Sequence, residues 1–201
     1  PGSTFKIVTI AAALKEKVSL EKTTWVDSTG LDFHGIKHIY DTKPMSAHLT
    51  MGETLKYSSN IGIINFAAPK FVGKEKLYAK AKELGFGRKT GFDPSSEPNG
   101  MLRHPDKWTL SSMHSIPLGY EVSTTPLQIA MAYAAIADRG WLKKPFIVKK
   151  INGNDNDNKI GRANVILPDN AKNITNMLQM AVDKEHNAYI KDWYVAGKTG
   201  T

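Results

Sequence analysis

Cysteine is absent from the 201 residues, so disulfides and thiolate metal sites are excluded. That absence fits an exported, oxidising setting without establishing one, since many cytosolic chains lack cysteine too. Also missing is a run long enough to span a bilayer: the most apolar early stretch, Phe5 to Leu14, is short and contains Lys6. There is no internal repeat and no block of like charge. With its lysines scattered, a net charge of +8 reads as a solvated lysine-rich surface or as attraction to an anionic surface. It does not read as a nucleic-acid footprint. An apolar fraction of 41% against 23% charged residues supports a real core and excludes global disorder. The length suits one compact domain or a large piece of one.

Pro1-Gly2-Ser3 reads as a turn into a helix whose residues Phe5, Ile7, Val8, Ile10, Ala11, Ala12 and Leu14 are apolar nearly all round, as in a central buried helix. Residues 23 to 45 suggest short hairpins and loops. Helical periodicity returns from Thr50 to Phe66, and again from Lys74 to Leu84, where Gly85 supplies a C-terminal cap. A Gly/Pro-rich connection follows to Pro105. Pro126 to Ala137 predicts a buried helix with Thr124 or Thr125 as N-cap and proline at its first position. Pro145 to Ile151 is strand-like, Asn152 to Asn158 a hairpin tip, Asp169 to Val182 helical, and Trp193 to Ala196 a short strand. The expectation is a helix-dominated α/β fragment with little strand.

Three short strings carry chemistry: Ser3-Thr4-Phe5-Lys6, Ser58-Ser59-Asn60 and Lys198-Thr199-Gly200-Thr201. A serine hydroxyl needs a neighbouring base to act as a nucleophile near neutral pH. Ser3 and Lys6, three apart on a first helical turn, can share a face, at an end where backbone N–H dipoles favour negative charge. Lys6 must be neutral to take a proton, and burial or a second cation would lower its pKa. Lys198 is the candidate for that cation. The plainer reading is a lysine snorkelling from an ordinary helix. Ser58 and Asn60 either cap the following helix or face a cleft, Ser58 relaying a proton to a leaving amine and Asn60 bonding a peptide amide and Lys6. Lys198, Thr199 and Thr201 would bind a carboxylate, Gly200 would let a ligand backbone approach, and backbone N–H groups of Ser3 and Thr201 would form an oxyanion hole.

Two patterns compete and fail. Lys89-Thr90-Gly91 is a second Lys-Thr-Gly, but it follows Gly85-Phe86-Gly87 with no preceding strand and reads as turn chemistry. Gly197-Lys198-Thr199 mimics the end of a phosphate loop, yet position 192 is Asp where glycine is needed. His34 and His38 lack the helical context and further ligands of a metal site.

In this order and context the strings form the Ser-x-x-Lys, Ser-x-Asn, Lys-Thr-Gly set. Together with Pro1-Gly2, Lys56-Tyr57 before the second motif, Ile61-Gly62 after it, Phe86-Gly87-x-x-Thr90-Gly91 and Gly119-Tyr120-x-Val122-x-x-Thr125-Pro126-Leu127-Gln128, the chain resembles class B penicillin-binding proteins along essentially its whole length. The division-specific transpeptidase is the more similar subfamily. The resemblance implies a partial transpeptidase domain over residues 1–201, running from the nucleophile motif to Lys-Thr-Gly, with the flanking sheet strands missing. Starting two residues before Ser3 and stopping at Thr201, it reads as a segment of a longer protein.

The implied reaction cross-links peptidoglycan stems. Ser3 attacks the penultimate D-Ala carbonyl of a D-Ala-D-Ala donor, terminal D-Ala leaves, and an acceptor amine resolves the acyl-enzyme. β-Lactam antibiotics acylate the same serine. No metal or organic cofactor is implied and no nucleic-acid partner. Cell-wall synthesis and divisome proteins are the implied partners, at the cytoplasmic membrane with the catalytic domain outside and the anchor not in this chain. A serine β-lactamase would need a deacylating Glu-x-x-Leu-Asn, which Glu97-Pro98-Asn99-Gly100-Met101 does not match. A β-lactam-sensing receptor would carry Val or Ile where Asn60 stands.

Overall fold

The protein is described from a computed structural model covering residues 1–33, 36–92, 96–155, 162–182 and 187–200. One helix organises it. After a 3₁₀ turn at Gly2–Phe5, helix α1 (Lys6–Lys15) is buried on every side from Lys6 to Leu14. Its all-round apolar sequence requires this: no face could be left in water. Around it pack α3 (Asn60–Ala67), α4 (Lys74–Glu83) and α7 (Pro168–Met180). Helix α2 (Met51–Lys56) lies on α7, and α6 (Pro126–Ala137) packs on α7 from elsewhere; α5 (Ser112–Ser115) is a short turn beside α3.

The strands form four antiparallel pairs among the described residues: β1 (Thr23–Val26) with β4 (Ala47–Thr50), β2 (Leu31–Phe33) with β3 (Ile36–Ile39), β5 (Trp141–Lys143) with β8 (Arg162–Asn164), and β6 (Lys150–Ile151) with β7 (Asn154–Asp155). β1 pairs with β4 from Thr23 opposite Thr50 to Val26 opposite Ala47, turning Val26 onto Leu49 and Ile61.

The helix expectations at 74–84, 126–137 and 169–182 are met within two residues. Thr125 caps α6 in a capping box with Gln128, and Gly85 follows α4 at φ +94°. Three expectations need correction. The helix expected across Thr50 to Phe66 is two helices, because Ser58 takes a left-handed φ of +54° and breaks the ladder. The strand expected over Pro145 to Ile151 is confined to Lys150–Ile151, the part facing β7 across the Asn152-Gly153 turn. Trp193 to Ala196 is not a strand: Trp193 and Tyr194 are exposed, and no described segment pairs with them to form a ladder.

Candidate active site

The turn that carries Ser3 is fixed from three directions. Thr4 Oγ1 donates to Pro1 O at 2.7 Å inside the turn, Tyr133 Oη on α6 donates to Thr4 O at 3.1 Å, and Phe5 meets Phe86 edge-on at 5.0 Å. Behind it lies Gly119 at φ +84°, where a Cβ would stand 2.2 Å from Gly2 O. Only glycine permits both that conformation and that approach. Ser3 is thereby held half-buried at the mouth of α1.

Lys6, one turn in, is fully buried, and its Nζ has three neighbours: Ser58 O at 2.5 Å, Asn60 Oδ1 at 2.8 Å and Ser58 Oγ at 3.2 Å. Ser58 Oγ in turn donates to Ser3 Oγ at 3.3 Å. Lys6 makes no hydrogen bond to Ser3 itself, so the link between them runs through Ser58. Hydroxyl protons rotate. With Lys6 charged, protons point from lysine to Ser58 to Ser3; with Lys6 neutral, the same oxygens can pass a proton the other way. Burial lowers the Lys6 pKa to about 7, Lys198 pushes in the same direction, and Asp41 opposes them.

The capping expected of Ser58 and Asn60 falls instead to the residue between them. Ser59 is the cap, its Oγ accepting from Gly62 N at 2.9 Å, whereas Ser58 and Asn60 turn to Lys6. The left-handed φ of Ser58 does this: it ends α2 and directs both the carbonyl and the hydroxyl of one residue at the ammonium. Asn60 Nδ2 donates to Tyr40 O at 2.9 Å, so one of its two N–H groups is committed within the protein rather than to a peptide.

The last motif runs beside the turn that carries Ser3. A Cβ at Gly200 would lie 3.1 Å from Thr4 Cγ2 and 3.4 Å from Pro1 O. Burial lowers the Lys198 pKa to about 8, and its Nζ donates to Thr199 O and Oγ1, both at 3.3 Å. Thr201 lies outside the described residues, as do His34 and the side chain of His38. The site thus gathers Ser3, Lys6, Ser58 and Asn60 by direct contact, with Lys198, Thr199 and Gly200 alongside.

Asp41, Tyr133 and Gly119 were not assigned roles from sequence. Asp41 contacts residues 18 to 20 positions away, beyond the reach of local periodicity. The second Lys-Thr-Gly is a turn: Thr90 N and Oγ1 donate to Glu97 Oε2 at 2.8 and 2.9 Å, and Lys89 is exposed.

The penicillin binding protein transpeptidase domain matches residues 1–201. The chain belongs to that family. Among similar proteins, stage V sporulation protein D of Bacillus subtilis is 32% identical over 210 residues, covering all of this chain and 32% of that protein. The peptidoglycan D,D-transpeptidase FtsI of Escherichia coli K12 is 25% identical over 205 residues, covering all of this chain and 33% of that protein. The chain therefore spans about a third of the length of the curated relatives it matches. A putative peptidoglycan glycosyltransferase from Atopobium parvulum superposes with a TM-score of 0.89 at 25% identity, over all of this chain and 47% of that one. Penicillin-binding protein 3 of Mycobacterium tuberculosis, complexed with aztreonam, gives 0.82 at 25% identity, over 94% of this chain and 43% of that one. The family membership and the helix-rich transpeptidase fold expected from the motifs are both borne out.

Proposed function

We propose that residues 1–201 form the acyl-transfer core of a peptidoglycan D,D-transpeptidase. The observation that carries this is the relay Ser3 Oγ–Ser58 Oγ–Lys6 Nζ, ending on a buried lysine that is largely able to lose its proton near pH 7. Ser3 passes its proton to Ser58 as Ser58 passes its own to neutral Lys6. Ser3 Oγ bonds to the penultimate D-Ala carbonyl carbon of the donor stem, and backbone N–H groups of Ser3 and Thr201 hold the oxyanion. The carbon–nitrogen bond to terminal D-Ala breaks, and the departing nitrogen takes the proton back from Lys6 through Ser58. An acceptor amine then attacks the ester, surrenders a proton along the same path and forms the cross-link, while Ser3 regains its hydrogen. Lys198 and Thr199 hold the donor's terminal carboxylate; Asn60 holds Lys6 and offers its second N–H to the peptide.

A β-lactam enters the same path. Its ring nitrogen takes the proton but stays tethered, so the acyl-enzyme persists. Among the described residues no helix is long and apolar enough to cross a membrane. In this reading the domain works outside the cytoplasmic membrane, tethered to it, beside other division-associated wall enzymes. Hydrolytic release would need a deacylating base, and the string at Glu97 does not match Glu-x-x-Leu-Asn; Glu97 Oε2 instead accepts from Thr90 N and Oγ1 in a turn, which disfavours a β-lactamase. A fluorescent penicillin incubated with the protein tests this. Label that persists for hours and is absent in Ser3→Ala supports a transpeptidase; rapid loss indicates a β-lactamase, and label retained in Ser3→Ala refutes the serine mechanism.

A further inference from the structure

Asp41 is a buried carboxylate in the connection between β3 and β4, and its hydrogen bonds to described residues converge on the start of α3. Oδ2 accepts from Ser59 Oγ at 2.6 Å, and Oδ1 accepts from the backbone N–H groups of Asn60 at 2.5 Å and Ile61 at 3.1 Å. These N–H groups are the ones a helix start leaves without intrahelical partners, where a negative charge is favoured. The preceding residue completes the grip. Tyr40 O takes the Asn60 amide N–H, which leaves Asn60 Oδ1 facing Lys6.

We propose that Asp41 is a positioning residue of the active site: its carboxylate clamps the α3 start so that Ser58 and Asn60 present their oxygens to Lys6, and its charge is the buried counter-charge to Lys6. The proposal rests on the acyl-transfer reading above. Of the charged groups acting on Lys6, Lys198 of the last motif drives its proton off and Asp41 retains it. The groups bonded to Lys6 itself, Ser58 and Asn60, are uncharged, as are Ser3, which Ser58 contacts, and the α6 phenol of Tyr133, which bonds Thr4 O and whose pKa burial raises. The two charges pull in opposite directions on one proton, so Asp41 sets how much of Lys6 is ready to act as base at a given pH.

Asp41→Asn keeps the shape, removes the charge and replaces one of the two acceptor oxygens by a donor NH2, so the three donors cannot all be accepted as before. Its rate of acylation by a fluorescent penicillin at neutral pH is expected to fall about tenfold or more. The acid limb of its pH–rate profile is expected to move to lower pH, because loss of the counter-charge weakens proton binding at Lys6. A purely structural role would lower the rate or the melting temperature and leave that limb in place. Ser59→Ala keeps the Asp41 charge and its two backbone contacts, so its rate should fall several-fold with an unmoved limb. A folded Asp41→Asn with a wild-type rate, or with an unmoved acid limb, overturns the proposal. If Asp41→Asn does not fold, a wild-type rate in Ser59→Ala overturns it. Wild-type protein that labels at Ser3 beside an unaffected Asp41→Asn refutes this role alone, whereas wild-type protein that fails to label refutes the acyl-transfer reading and this role together.

Discussion

Replacing Ser58 by alanine deletes one oxygen and isolates the relay. Ser58 Oγ is 3.3 Å from Ser3 Oγ and 3.2 Å from Lys6 Nζ, and no direct hydrogen bond joins Ser3 to Lys6. Lys6 keeps the backbone oxygen of residue 58 and Asn60 Oδ1, at 2.5 and 2.8 Å, so it stays in place. The chain fold should survive, since the hydroxyl is only part-buried and no other described residue bonds it. What goes is proton transfer from the nucleophile, and positioned acid–base groups of this kind contribute about 10²–10⁴-fold, or roughly 3–5 kcal/mol of barrier. Stopped-flow acylation by a chromogenic β-lactam measures this directly, with circular dichroism confirming the fold. The expected result is a rate within that range below wild type and a melting temperature nearly unchanged. A near wild-type acylation rate would refute the relay and require Lys6 to reach Ser3 by another route.

Acylation should follow a bell-shaped pH profile, rising as Lys6 deprotonates near pH 7 and falling above about pH 8 as Lys198 loses the charge that binds carboxylate. Stability carries the same signature with a definite sign. The unfolded lysine holds its proton up to its ordinary value of 10.5 and the folded one does not, so thermal stability should rise with pH from about 7 upward, and Lys6→Met should flatten that rise. Gly119→Ala places a methyl against Gly2 O in a left-handed conformation; it should cost about 1–3 kcal/mol from backbone strain alone and slow acylation by displacing Ser3, measured by urea unfolding and penicillin labelling. Gln128→Ala removes donors to Arg88 O and Asn99 O and breaks the α6 capping box, so a loss of about 2–3 kcal/mol in unfolding free energy is expected, with acylation much less affected.

Local rules read much of this molecule. A helix apolar nearly all round after Ser3 had to be central, a proline after Thr125 had to start a helix, and Gly85 had to end one. These features are set by neighbours within a turn. The three motifs stand out in the sequence because side-chain chemistry restricts which residues can pair a serine hydroxyl with a neutral amine and keep a second cation for an anionic group. What escaped depended on partners far along the chain. The break between α2 and α3 sits at Ser58, a residue with no intrinsic taste for φ +54°, held there because Lys6 lies 52 positions away and binds its carbonyl. Asp41 looks like any loop acid until α3 folds against it. The segment at Trp193 has β-forming residues but no described strand to pair with, so propensity alone produced no strand.

The central claim is that Ser3 is the acylated nucleophile, served by Lys6 through Ser58. Peptide mapping by mass spectrometry after reaction with benzylpenicillin tests it most directly. The expected result is a single penicilloyl adduct on Ser3, strongly reduced in Ser58→Ala and in Lys6→Met. An adduct on Ser58 or Ser59, or an unchanged yield on Ser3 in those two variants, would contradict the account.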